Sequence, residues 1–346
     1  MIFKPPRLED LSNPALLTRL QLTLNNKTKP LGSLGQLEVL AIQLGVILQT
    51  EVPLLTAPQL VVFAADHGLA QHGISAYPSD VTSQMVKNFL TGGAAVSVLA
   101  RQHHIALTVA DCGVMHELDT QFGLYRCKIA NGTADSLTQP AMSVDQCELA
   151  LSNGQTLINE LPGNTLLLGE MGIGNSSAAS LLLARLTGLP LEQCVGAGTG
   201  LDQDGIQRKT VILQQVLRLH AAATEPLQVL AAFGGFEIAT MIGAILQAAA
   251  SNRVIVVDGF ITSAAVLVAS RLNPLVLQRC VFSHRSAERG HVLLLEQLGA
   301  RPLLDLELRL GEGSGAALAW PLLVSACNLL TQMASFTSAG VSKTSS

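Results

Sequence analysis

One pattern of apolar and polar positions recurs along the chain. A short apolar run ends in a cluster of Gly, Asp, Glu, Ser or His, and an Ala/Leu-rich stretch follows. It occurs at residues 60–68, 105–113, 165–170, 228–235, 253–259 and 279–284. Apolar runs without alternation bury both faces, as parallel strands covered by helices do. The stretches after them, such as 177–187, 237–250 and 263–272, predict the covering helices, joined by right-handed crossovers. The runs are too unevenly spaced for eight regular strand–helix repeats closing into a barrel. The expected fold class is therefore α/β, an open doubly wound (Rossmann-like) parallel sheet over residues 56–315.

The chain ends break the pattern. Residues 14–24 and 34–49 are helical without a strand between them, and 316–334 is a further apolar helical stretch. Residues 1–55 and about 316–336 are expected to form a small helical domain together. The Ser/Thr/Gly-rich tail, 337–346, is expected to be disordered.

Composition narrows the function classes. The chain is 49% hydrophobic but only 3% aromatic, so Ala, Leu, Val and Ile must build the core. Only 13% is charged, which predicts surface buried between subunits and hence an oligomer. A net charge of −4 with no basic block argues against nucleic-acid binding. No signal-like apolar segment follows the early charges and prolines of MIFKPPRLEDL. The six cysteines, none in a CxxC pair, read as buried reduced thiols of a cytoplasmic protein. The runs 238–250 and 316–330 contain Gln or Pro and fall short of the ~20 residues of a bilayer span, so no membrane span is expected.

Ligands of open α/β sheets bind beyond the carboxyl ends of the strands, where these polar clusters fall. Gly169-Glu170-Met171-Gly172-Ile173-Gly174-Asn175-Ser176-Ser177 is a glycine turn opening a helix. It suits either an anion at the helix N-terminus or a tight turn with a Ser cap. Gly196-Ala197-Gly198 begins a second glycine turn, and Lys209 after it is either a phosphate partner or a surface lysine. Glu312 stands among Gly311, Gly313 and Gly315, where helix is disfavoured; it is either a helix cap or a positioned general base. Tyr77-Pro78 with Gln84 and Met85 offers a flat apolar wall and an amide for an aromatic base, or else a Pro loop before a helix. His284, Arg285, Ser286, Glu288 and Arg289 read as a cluster that orders a loop or a subunit interface. The histidines lack ligand spacing for a metal. GxSxG, Walker A and GxGxxG motifs do not occur, which speaks against a serine hydrolase, a P-loop enzyme and a dinucleotide-dependent oxidoreductase.

Together these segments resemble the nicotinate-nucleotide–dimethylbenzimidazole phosphoribosyltransferases. The resemblance rests on Thr28-Lys29-Pro30-Leu31-Gly32-Ser33-Leu34-Gly35, Ala65-Asp66-His67-Gly68, Tyr77-Pro78 through Gln84-Met85, Gly92-Gly93-Ala94-Ala95 and the Glu170–Ser177 turn. It continues through GAGTGLD with Lys209, Phe233-Gly234-Gly235-Phe236-Glu237, Val257-Asp258-Gly259-Phe260, Ser283 to Glu288 and Leu310 to Ala317, in order from about residue 27 to 320. It implies transfer of phosphoribose from nicotinate mononucleotide to 5,6-dimethylbenzimidazole, giving nicotinate and α-ribazole phosphate for the lower ligand of cobalamin. By the same resemblance Glu312 is the general base. Glu170, Gly172, Gly174, Asn175, Ser176, Ser177, Gly198, Lys209, Asp258, Phe260 and Ser286 lie at or near the nucleotide, and Tyr77, Pro78, Gln84 and Met85 line the base pocket. A homodimer is implied, with no metal and no cofactor. The family commonly has Thr where Ser176 stands, and the hydroxyl is kept. Transfer to adenine, another benzimidazole or a phenol, and a non-catalytic nucleotide-binding protein, are the alternatives.

Overall fold

The structure, a computed structural model, describes residues 3–198 and 200–342. Six parallel strands form one sheet: β1 (Gln59–Ala65), β2 (Ala106–Gly113), β3 (Leu124–Arg126), β4 (Thr165–Met171), β5 (Val254–Val257) and β6 (Cys280–Phe282). Their order is β3-β2-β1-β4-β5-β6. The chain lays strands outward from β1, then returns to start β4 on β1's other side. Such a reversal opens a crevice at the strand ends. All of β1 is buried, as its unbroken apolar run predicts. The open parallel α/β sheet expected from the sequence is what forms.

One expected strand is a helix. Residues 228–235 belong largely to the helix Pro226–Phe233 and its exit. Glu225 and Gln228 make a reciprocal capping box, Pro226 is preset for the first turn, and Leu and Ala favour the helix that follows. The sixth strand is instead β3, a three-residue edge strand, half exposed and too short to leave an apolar run.

Alternation along β1 divides the core. Val61 and Phe63 face the helices Val144–Glu160, Asn175–Thr187, Phe236–Ala250 and Phe260–Leu272. Leu60, Val62 and Ala64 face the other side, where the chain ends pack: Pro14–Asn25, Gln36–Ile47 and Ser314–Gln332. The end helices thus share one continuous core with the sheet. Ser314–Gln332 begins and ends two residues earlier than the helical stretch read from the sequence and, at 19 residues, is long and apolar enough to cross a bilayer. Its Ala319, Trp320, Leu323, Ala326 and Leu330 are instead buried in this core.

Helices Val144–Glu160 and Phe236–Ala250 touch through their backbones. A Cβ on Gly154 would lie 1.9 Å from the Thr240 carbonyl oxygen, and one on Gly243 1.9 Å from that of Leu151. All six cysteines are free and buried. The expected disordered tail is corrected in part, because Phe336–Ala339 forms a short helix with Ser335 as its cap. Residues 343–346 of that tail, and Thr199 of the second glycine turn, lie outside the described residues.

Candidate active site

Loops leaving β1, β4, β5 and β6 meet at a cleft of about 730 Å³, its open mouth included. On its floor β4 ends and Gly172, Ile173 and Gly174 turn into the helix Asn175–Thr187. Gly174 has φ 100°, a left-handed conformation that brings Asn175 and Ser176 to the cleft wall. Glu170, near the end of β4, ties this turn to a second loop. Its carboxylate accepts from the Asn175 side-chain amide and, at 3.3 Å, from the backbone N–H of Glu312. Burial, and then the charge of Asp258, push the Glu170 pKa up to about 8.

Glu312 sits at the centre of a strained loop. Gly311, Glu312 and Gly313 have φ of 79°, 64° and 88°, three left-handed residues in succession. For the glutamate this costs roughly 1–2 kcal/mol. Asp258 holds the loop, accepting from the N–H groups of Gly313 at 3.1 Å and Ala316 at 2.9 Å, and so caps the helix Ser314–Gln332. The loop also presses on β4, since a Cβ on Gly169 would lie 2.5 Å from the Glu312 carbonyl oxygen. The Glu312 side chain is left in the cleft wall, largely buried. Burial, reinforced by Asp258, raises its pKa to about 7.

Lys209 and Arg309 both interact with Glu288 in the cleft wall. Lys209, from the helix Gln203–Leu219, is 1% exposed and donates to the Ser176 hydroxyl at 2.9 Å. A Cβ on Gly198 would be 3.1 Å from that hydroxyl, so the second glycine turn lies directly against the pair. Burial lowers the Lys209 pKa to about 8, against the opposing charge of Glu288. Arg309, His284 and Glu288 line the cleft as well. The arrangement joins an ammonium, an Arg, a hydroxyl and a glycine turn at one end to a carboxyl of near-neutral pKa at the other. It suits an anionic sugar phosphate beside a proton acceptor.

Comparison with known proteins agrees with this geometry. Residues 11–341 match a family profile described as Phosphoribosyltransferase. The chain is 63% identical over 338 residues, 98% of its length and 97% of the relative's, to the nicotinate-nucleotide–dimethylbenzimidazole phosphoribosyltransferase of Variovorax paradoxus. It is 58% identical over 334 residues, 96% of each chain, to the protein of that name from Cupriavidus necator. The crystal structure of CobT from Thermus thermophilus superposes with a TM-score of 0.91 at 41% identity, covering 96% of this chain and 100% of that one. The chain belongs to the nicotinate-nucleotide–dimethylbenzimidazole phosphoribosyltransferase family.

In this phosphoribosyltransferase the residues singled out from sequence divide into two groups. Glu170, Gly172, Gly174, Asn175, Ser176, Gly198, Lys209, Phe260, Ser286 and Glu312 all line the cleft. Ser177 and Asp258 do not. Ser177 is fully buried on the core side of its helix, and Asp258 lies behind the Glu312 loop as its anchor. Tyr77, Pro78, Gln84 and Met85 also fall outside the cleft wall. Tyr77 is 51% exposed; Gln84 is on the solvent face of the helix Asp80–Leu90, and Met85 packs against the core. The same loop reaches the cleft one turn earlier, through Ile74 and Ser75. His284 and Glu288, read from sequence as ordering a loop or an interface, are cleft residues in this phosphoribosyltransferase. Their place at the end of a strand run was the signal that could have assigned them. Arg309 carried no signal beyond its nearness to Gly311. Among the described residues no group of three or more metal-ligating side chains is present.

Proposed function

We propose that this cleft transfers phosphoribose from nicotinate mononucleotide to 5,6-dimethylbenzimidazole, as the names of its relatives state for them. The transfer yields nicotinate and α-ribazole phosphate, the lower-ligand nucleotide of cobalamin. One observation carries the reading: the Glu312 carboxyl shares a single cleft with the Gly172–Ser176 turn and Lys209. Lys209 and Ser176 would hold the phosphate, with Gly172, Gly174, Asn175 and Gly198 leaving room for close approach of the backbone. Phe260 and Ser286 would flank the ribose.

The chemistry needs little else. The bond from ribose C1′ to the pyridinium nitrogen breaks, and its electron pair stays on that nitrogen. Nicotinate therefore leaves with a neutral ring and needs no acid. A benzimidazole nitrogen forms the new bond to C1′ from the opposite face, inverting β to α. As it does so its other nitrogen becomes acidic, and that proton passes to Glu312. A base of pKa about 7 is matched to this task. The carboxylate also stabilises positive charge growing on the base and the sugar.

Incubation of the protein with both substrates, followed by mass analysis, is expected to show nicotinate and α-ribazole phosphate in equal amounts. No nicotinate release would leave a nucleotide-binding protein without this activity. Efficient competition by adenine or a phenol would move the acceptor to another base. We read the molecule as a cytoplasmic homodimer. Leu22, Leu31 and Val39 of the N-terminal segments are exposed apolar side chains that a partner subunit would cover, and sedimentation at equilibrium tests it. We also read residues 1–55 and 316–336 as one helical subdomain, supported by the packing of Gln36–Ile47 on Ser314–Gln332.

A further inference from the structure

Beneath the Gly172–Gly174 turn lies a buried ionic pair that the transfer chemistry does not use. His67 follows β1, and Glu237 is in the first turn of Phe236–Ala250. His67 Nε2 and Glu237 Oε1 are 2.6 Å apart, at 4% and 0% side-chain exposure. His67 is not among the residues that line the cleft.

Glycines close around this imidazole. A Cβ on Gly172 would lie 3.5 Å from the His67 ring, one on Gly174 3.3 Å from His67 Cβ, and one on Gly235 2.4 Å from its Cε1. The His67 side chain therefore borders both glycines of the turn, beside the Ala65 carbonyl oxygen under Gly172 and the Ala70 Cβ under Gly174, and Glu237 holds its ring. Thr82 adds a second strut: its hydroxyl accepts from the N–H of Ile173, the middle residue of the same turn, at 3.2 Å.

A buried imidazole opposite a carboxylate keeps its place only while the charges match. Burial pulls the His67 pKa down, but the charge and hydrogen bond of Glu237, with help from Asp66, outweigh it and leave the value above the ordinary one. The pairing with Glu237 thus favours the protonated ring beyond what burial alone would allow.

We infer that the His67–Glu237 pair is a positioning device: it sets the shape of the Gly172–Gly174 turn and thereby the binding of the nucleotide, without touching it. The inference rests on the reading that this turn receives the mononucleotide. A bound phosphate group needs its donors within a few tenths of an ångström, and a turn built on two glycines does not hold such a shape by itself.

Three variants test it: Glu237→Gln, which keeps size and removes charge, His67→Gln, and the double variant. Two readouts are taken on folded protein. Hydrogen exchange across 171–176, without substrate, reports the turn. Steady-state kinetics report the KM for nicotinate mononucleotide against that for dimethylbenzimidazole. Expected are faster exchange in the turn and a mononucleotide KM raised about tenfold, with the base KM within about twofold. The double variant should be no worse than the worse single one. Should His67→Gln fail to fold, Glu237→Gln and Thr82→Val, which is close to isosteric, carry the test with the same expected split. Unchanged exchange in the turn overturns the inference, and so does an equal rise in both KM values. An unaltered protein that binds and turns over no mononucleotide overturns the donor reading instead, and the substrate-free exchange result separates that failure from the first.

Discussion

Glu312 is the residue on which most of the chemistry turns. Glu312→Gln keeps the shape of the loop and removes the proton acceptor. Turnover should fall by about a hundredfold or more, with mononucleotide KM little changed. In the unaltered enzyme kcat should rise as pH passes through about 7, because the base works only when deprotonated. Above about 8, where Lys209 loses its proton, kcat/KM for the mononucleotide should fall through a rising KM. A pH–rate profile with no acid limb, or a fully active Gln variant, would move the base elsewhere. Lys209→Ala should raise the mononucleotide KM at least about tenfold and leave that of the base nearly untouched, as initial-rate kinetics with each substrate varied will show. Both residues stood out in the sequence, Glu312 because glycines on either side leave a carboxylate the role of cap or base, Lys209 because it follows a glycine turn as either a phosphate partner or a surface lysine. Asp258 was visible only as a strand-end acid. Its duty as anchor of the Glu312 loop depends on backbone N–H groups 55 and 58 positions further on, which no local pattern reports.

Elements were legible wherever burial dictated the pattern. The runs that became β1, β2, β4, β5 and β6 are apolar because helices cover both faces of the sheet. β3 escaped notice because an edge strand three residues long has no such requirement. The stretch 228–235 misled because its apolar residues fit strand or buried helix alike; Glu225, Pro226 and Gln228 decide between them by capping. The base loop misled differently. A rare Tyr beside a Pro drew attention to Tyr77, whereas the direction of the chain brings Ile74 and Ser75 to the cleft. Close helix packing gives a test at this scale. Gly243→Ala places a methyl carbon 1.9 Å from the Leu151 carbonyl, which the backbone cannot relieve without parting two helices. A loss of roughly 1–3 kcal/mol is expected, seen as a lower denaturant midpoint, with both KM values unchanged. A midpoint equal to that of the unaltered protein would mean the helices are looser than their spacing implies.

For the molecule as a whole, the carboxyl cluster sets a conflict between stability and pH. The folded Glu170 pKa is about 8 and its ordinary value 4.5, so the folded chain holds a proton that the unfolded chain has given up. The stabilisation this represents is fully present below about 4.5 and is lost as pH rises to and through about 8. Glu170→Gln, neutral at every pH, should therefore melt higher than the unaltered protein at pH 8 and about level with it at pH 4. Calorimetry at the two values will show this, and a variant that melts lower at pH 8 would mean that the carboxylate's own bonds outweigh its burial. The overall architecture was readable from composition and period alone. The two chain ends were expected to pack together, but not to cover one face of the sheet, because contacts of Ser314–Gln332 with β4 span too much of the chain to leave a local pattern.

The reversal in strand order between β1 and β4 has a consequence for how such an enzyme can diversify. Among the described residues, only Ile74 and Ser75 of the cleft wall come from the part of the chain that precedes β4. The loop after β1 is thereby the one stretch of wall that can change without touching Glu170 to Ser176, Lys209 or Glu312. Substitutions there reshape one side of the cleft while the loops that carry its charged groups are inherited intact.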